Sequence, residues 1–354
     1  MSGNTLHPRR ILVIRLDRIG DVVLSTPVLQ ALREAFPSAH LAMMVRPACR
    51  ELVEGNPHLN EVLVYDKDRI GRGWLSGLRF ALGLRRYRFD AALVLHPTVR
   101  SHLLVWLAGI PVRIGYGRKA GWLLTHRLPH RKQEGAKSEA EYALDMLRVF
   151  GIDPPAPRPF VPVHPESAHR VAEWLSGAGI EPQETLVAVH PAASARSKRW
   201  SPERFAEVAD RLIEEGRVRV ILVGGAGDSA QVAAVERLMR HRPVNAAGAL
   251  SLGELAALLS RCRLLIANDS GPVHIAAAVG TPVVAIFGRN QPGLGATRWG
   301  PVGAGHVVLQ KDVGCPTCLA ERCRIDFLCL STLQADEVYQ AAVSVLERSA
   351  SKGS

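Results

Sequence analysis

Apolar positions fall along this chain in two rhythms, short strand-length runs and longer stretches with helical spacing, and the two alternate from end to end. Ile11 to Leu16 reads as a strand, Asp21 to Ala35 as a helix, Leu41 to Val45 and Glu61 to Tyr65 as strands, and Trp74 to Arg86 as a helix. Ala91 to Leu95 and Val112 to Gly115 predict further strands, and Ser138 to Phe150 a helix. The rhythm resumes with a helix at Ser167 to Ser176, a strand at Leu186 to His190, a helix at Pro202 to Glu215 and a strand at Arg219 to Val223. Helices at Ala230 to His241 and Gly253 to Ser260 come next. The stretch Arg263 to Gly288 then reads as a complete βαβ unit, and Leu333 to Arg348 as an amphipathic helix with Val338, Ala341, Ala342 and Leu346 on one side. Strands separated by helices predict parallel sheets covered on both faces.

Six prolines between Ile152 and Pro165 interrupt this alternation. Proline at that density excludes helix and central strand, so the segment is a stiff extended connection. With 354 residues, two domains are expected. The fold class is therefore α/β, two doubly wound Rossmann-like domains over residues 1–160 and 161–332, followed by a C-terminal helix and tail over 333–354. Ligands of such sheets bind outside the carboxyl ends of the strands, which predicts a cleft between the domains. No run of 18 apolar residues occurs, and the first ten residues carry no apolar signal core. A cytoplasmic protein with reduced cysteines is expected, with peripheral contact at the inner face of a membrane open to it.

Charge sharpens the picture. The chain carries a net charge of +11, but residues 1–165 hold 24 Lys/Arg against 14 Asp/Glu while residues 166–354 hold 20 against 19. The basic half favours an acidic partner such as a glycolipid, a membrane surface or nucleic acid, and a basic protein with solvated arginines is the plain alternative. With aromatic residues at only 5% there are few stacking platforms, which sets nucleic acid aside.

Candidate chemistry lies where strands end. Asp21 follows the first strand and Gly20, at a helix start. It is either an ordinary first-turn acid or a general base for a substrate hydroxyl. Ser194, Ser197 and Lys198 follow the first strand of the second half, where hydroxyls and a lysine suit a diphosphate as well as they suit a solvated loop. Gly224 and Gly225 in VGGAGD allow close backbone approach by a nucleotide. Asp269, Ser270, Gly271 and His274 open the helix of the βαβ unit. Ser270 is placed to cap it, and its first amides form a phosphate seat. Cys315, Cys318, Cys323 and Cys329 form C-x2-C-x4-C-x5-C, which suggests a structural zinc, whereas Cys49 and Cys262 read as core residues.

Taken together, RLDRIGDVVLSTPVLQALR, RIGYG, SKRWSPERFAEVADRL, VGGAGD, ANDSGPVHIAAAVGTPVVAIFG and the cysteine cluster resemble glycosyltransferase family 9, the ADP-heptose:lipopolysaccharide heptosyltransferases. The resemblance spans nearly the whole chain and implies the GT-B architecture. It also implies inverting transfer of heptose from ADP-heptose to the lipopolysaccharide inner core, a Kdo or heptose acceptor, with no catalytic cofactor. Asp21 matches the base, Lys198 the group that stabilises the leaving diphosphate, and Asp269 the acid that holds the donor sugar beside Ser270, Gly271 and His274. Arg18, Arg113 and Arg118 fall on the acceptor side. Two features depart from the family. Pro191, Ala192 and Ala193 stand where many relatives have Pro-Gly-Ala, and the cysteines are not needed for transfer. A nucleotide-sugar epimerase of the same fold and a non-catalytic binder of acidic glycolipid are the alternatives.

Overall fold

The computed structural model describes residues 6–66, 74–216, 218–315, 318 and 322–350, so the end of the C-terminal tail, 351–354, lies outside the described residues. The chain divides into two compact units, Met1–Gln133 with Glu139–Pro162, and Glu134–Ser138 with Val163–Ser354.

In the first unit β1 (Arg10–Ile14) leads to α1 (Ile19–Val23) and α2 (Pro27–Ala35), and then β2 (His40–Val45) and β3 (Glu61–Val64) follow. Next come α3 (Trp74–Leu84), β4 (Ala91–Val94), α4 (Val99–Leu107), β5 (Val112–Tyr116), β6 (His126–Leu128) and α5 (Glu139–Leu144). The strands pair in parallel in the order β3-β2-β1-β4-β5-β6. β1 and β4 are covered on both faces, which is why they are unbroken apolar runs. Leu12, Ile14, Ala92 and Val94 face a core closed by Ala81 and Leu84 of α3 and by Leu104 and Val105 of α4.

The second unit repeats the plan. It holds α6 (Pro165–Gly177), β7 (Thr185–His190), α7 (Pro202–Gly216), β8 (Val218–Leu222), α8 (Ser229–Leu238), β9 (Val244–Asn245) and α9 (Leu252–Arg261). Then come β10 (Leu264–Asn268), α10 (Gly271–Ala278), β11 (Val283–Phe287), α11 (Ala296–Trp299), β12 (Val307–Gln310), α12 (Leu328–Ser331) and α13 (Ala335–Ala350). Its parallel order, β12-β11-β10-β7-β8-β9, is the first sheet's order read from the other edge. Both are the 3-2-1-4-5-6 winding of a nucleotide-binding sheet. The last helix, set apart in the sequence division, is part of this unit's core: Val338, Ala342 and Val345 are buried with Phe205 and Leu212 of α7.

Several expectations need correction. The predicted helix from Asp21 to Ala35 is two helices. Pro27 has no N–H to continue the ladder, and the hydroxyls of Ser25 and Thr26 donate to the carbonyls of Asp21 and Val23, each at 2.7 Å. The predicted helix from Ser138 to Phe150 tightens into a 3₁₀ turn after Leu144. The strands β6, β9 and β12 and the helix α4 were not predicted. These strands are short, partly exposed and at or next to a sheet edge, so no apolar run marks them. α4 buries Ser101 and His102 while exposing Val99, Leu103 and Trp106, which scrambles its apolar phase. Among the described residues no helix is long and apolar enough to cross a membrane.

Asp210 of α7 ties that helix to the loop after α8. Burial alone would raise its pKa, but the N–H groups of Arg240 and His241 and the His241 ring outweigh burial and hold the carboxyl below its ordinary value. A depressed acid stabilises the fold above its unfolded-state pKa and loses that contribution as pH falls through the folded value. The stability advantage of wild type over Asp210→Asn, measured by denaturant titration, should therefore be full at neutral pH and vanish in the acid range.

Candidate active site

In each unit the chemistry gathers where the strand order reverses, between β1 and β4 in the first and between β7 and β10 in the second. Arg15 leaves β1 with its N–H on the carbonyl of Met44 and its side chain only 1% exposed. It bonds three carboxylates: Asp17 at 2.7 Å, Asp21, and Glu139 at 2.9 Å. Lys132 reaches Glu139 at 2.5 Å, and His96, just past β4, places Nδ1 3.0 Å from Asp17. Burial would drive the proton off Arg15, but the three acids outweigh it, and its pKa lies well above the usual guanidinium value. Asp17 is pushed up, by burial foremost and then by Asp21, against the pull of Arg15 and His96. His96 is lowered, chiefly by burial. Asp21, on the short α1 with Arg18 at its N-cap, keeps 13% of its side chain exposed. A carboxylate clamped from one side by a buried cation and open on the other has the form a hydroxyl-directed base needs.

In the second unit Lys198 ends a 3₁₀ turn, Arg196–Lys198, and its Nζ lies 2.7 Å from Oδ2 of Asp269, at the end of β10. Buried Asn268 fixes this arrangement: Oδ1 accepts the N–H of Trp200 at 3.1 Å, and Nδ2 donates to the carbonyl of Pro191 at 2.6 Å. Ser270 does not cap α10. Its hydroxyl lies 3.0 Å from Nδ1 of His190, the last residue of β7, and α10 has no side-chain cap bond. The ring of His190 also stands 3.7 Å from Asp228, whose carboxyl is held below its usual value by His190 first and by the Gly225 N–H among others. β7, β8 and β10 thus end in one linked set of polar groups beside the start of α10, where the helix dipole favours an anion.

The remaining expected residues fall as follows. Gly271 begins α10, and His274 is buried within it. Ser194 is exposed, whereas Ser197 is buried and accepts from Nε of Arg289 at 2.9 Å. Gly224 has a packing reason, since a Cβ there would meet Val232 at 3.0 Å and Asp228 at 3.1 Å. Arg18 and Arg118 are exposed. Arg113 is otherwise engaged: its guanidinium donates to the carbonyls of Leu123 at 2.7 Å and Ile110 at 2.5 Å, which makes it a clamp on its own loops. Arg15, Glu139, Asn268, His190 and Arg289 were not singled out from the sequence.

The four clustered thiols line a cavity of about 550 Å³ with Ser197, Gly288 and Lys311. Burial, then the neighbouring Cys318 and Cys323, push the Cys329 thiol up. Among the described residues no group of three or more His, Cys, Asp or Glu is set to hold a metal ion, so the structural zinc expected from the spacing is not supported. Cys49 and Cys262 are buried core residues with thiols pushed up to about 11 and about 12 by burial.

Solved structures share this build over nearly their whole length. Glycosyl transferase family 9 from Veillonella parvula DSM 2008 superposes with a TM-score of 0.84 at 26% identity, covering 96% of this chain and 98% of that one. The Escherichia coli ADP-heptose lps heptosyltransferase II superposes at 0.76 with 24% identity, covering 96% and 99%. Two Rossmann-like units wound in this order, with these neighbours, define a glycosyltransferase of the GT-B class. Lipopolysaccharide heptosyltransferase 2 of Escherichia coli (strain K12) is 30% identical over 295 residues, 80% of this chain and 84% of that protein. The chain belongs to glycosyltransferase family 9 (heptosyltransferase), whose profile matches residues 78–328.

Proposed function

We propose that the protein transfers heptose, with inversion, from ADP-heptose to an inner-core Kdo or heptose of lipopolysaccharide. The observation that carries this reading is the Lys198–Asp269 pair at the second sheet's switch point, beside the start of α10. A lysine and a helix start together oppose the two charges of a diphosphate, and Asp269 is left to orient the lysine and the donor sugar. Asp21 takes the proton of the acceptor hydroxyl. That oxygen bonds to the anomeric carbon from the face opposite the diphosphate, the carbon–oxygen bond to phosphate breaks, and the electron pair leaves with ADP. No step is routed through a metal. Ser194, Gly225, Gly271 and His274 are donor-side groups in this reading, and Arg18 and Arg118 are acceptor-side groups. The acceptor is an acidic glycolipid, which suits a first half with ten more basic than acidic residues and places the work at a membrane surface.

Calorimetric titration with ADP, UDP and GDP tests the donor side. ADP should bind best, and Lys198→Ala should weaken it by roughly ten- to a hundredfold, the range for a charge-assisted contact. Because this change also leaves Asp269 unpaired, Lys198→Ala/Asp269→Asn should recover part of the loss. Preference for UDP would remove the ADP-heptose assignment, and binding of none of the three would remove the nucleotide-sugar reading altogether.

A further inference from the structure

We propose that the outward faces of α3 and α4, with the turn at Trp122, form a docking surface for an anionic lipid bilayer. Both helices bury one face against the first sheet, yet each also carries apolar side chains on the opposite face. On α3 and the turn after it the exposed stripe runs Leu75, Arg79, Leu82, Arg86, at the spacing of one helix face. On α4 it runs Val99, Leu103, Trp106, at the same spacing. The two helices are neighbours, joined by the Arg85 guanidinium on the Leu107 carbonyl at 3.0 Å, and the turn Gly121–Leu123 packs beside α4. Trp122 is 71% exposed and Trp106 48%. Among the described residues twelve large apolar side chains are exposed, and six of them come from these three elements, so the exposure is concentrated rather than scattered.

Charge names the occupant. From Leu75 to Trp122 the chain holds eight Lys/Arg and a single acid, Asp90. That acid is engaged, accepting the main-chain N–H groups of Arg9 and Arg10. Exposed tryptophan among arginines is the composition that settles at a bilayer interface, with the indoles at headgroup depth and the guanidinium groups on phosphate. A second copy of the chain fits poorly, because a two-fold interface would set this basic patch against itself.

The proposal rests on the glycolipid reading, but vesicle flotation contains no nucleotide or acceptor, so the two stand or fall separately. Full-length protein is floated with vesicles of phosphatidylcholine alone and of phosphatidylcholine with phosphatidylglycerol. Binding is expected to the anionic vesicles, weakening with salt. Arg79→Glu/Arg86→Glu and Leu82→Ser/Trp106→Ser should each lower partitioning at least about tenfold, with melting temperature and ADP titration unchanged. Equal partitioning of the variants and wild type, or no binding to anionic vesicles, overturns the proposal. So does a dimer, seen by light scattering, that Trp106→Ser dissociates while vesicles bind nothing, since the surface would then be an interface between copies.

Discussion

An Asp21→Asn variant is expected to bind ADP as wild type does and to transfer sugar about two to four orders of magnitude more slowly. The amide oxygen of asparagine can still accept from Arg15, so the geometry of the clamp survives and only the proton-accepting charge is removed. Stability should not fall. Around Arg15 and Lys132 stand three carboxylates, Asp17, Asp21 and Glu139, so the cluster carries one negative charge in excess and the substitution neutralises it. Turnover, nucleotide affinity and melting temperature measured on the same preparation separate the possibilities. Turnover within a few-fold of wild type would end the assignment of Asp21 as base, and a parallel loss of ADP binding would make it a donor contact instead.

Arg15→Met should cost far more in folding than any change on the seat of the second unit. Removing one member of a buried ionic set leaves its partners charged and desolvated, a loss of about 3–5 kcal/mol. Here three acids lose their common cation, and of the three it is Glu139 that Lys132 holds. Denaturant unfolding would read the loss directly. Arg15→Met/Asp17→Asn should regain part of it, because one of the stranded charges is then gone. A loss under about 1 kcal/mol, the scale of exposed pairs, would mean that water reaches the cluster and replaces the arginine at little expense.

The central strands were legible because β1, β4, β7, β10 and β11 are buried on both faces, and burial of that kind writes an unbroken apolar run. The strands β6, β9 and β12 were not, since a short strand beside solvent carries mixed side chains. Asp21, Lys198 and Asp269 could be picked out because each stands in or at the edge of a loop that follows a strand. That Lys198 and Asp269 touch each other could not be read, because they lie far apart along the chain. Arg15 looked like a polar interruption of a strand, yet it is among the largest fully buried side chains, and its burial follows from Glu139 and Lys132 arriving from a remote segment. Ser270 has the right residue type for a cap, but the ring of His190 takes its hydroxyl, a competition invisible until β7 and β10 pair. Gly224 fits a nucleotide turn and a packing contact equally well by sequence, and the space beside it is filled by Val232 and Asp228.

Both sheets are wound alike, and the crevice lies at the same place in each, but the crevices differ in what they hold. The segment after β1 sets Asp17 and Asp21 on buried Arg15, joined by Glu139 from farther along the chain, while those after β7 and β10 set Lys198 on Asp269 beside a helix start. The winding fixes where a crevice lies, and the side chains at the strand ends fix what it can hold. The same plan of winding thus gives two non-interchangeable halves, one closing its crevice with acids clamped on a buried arginine and the other leaving a helix start beside a lysine.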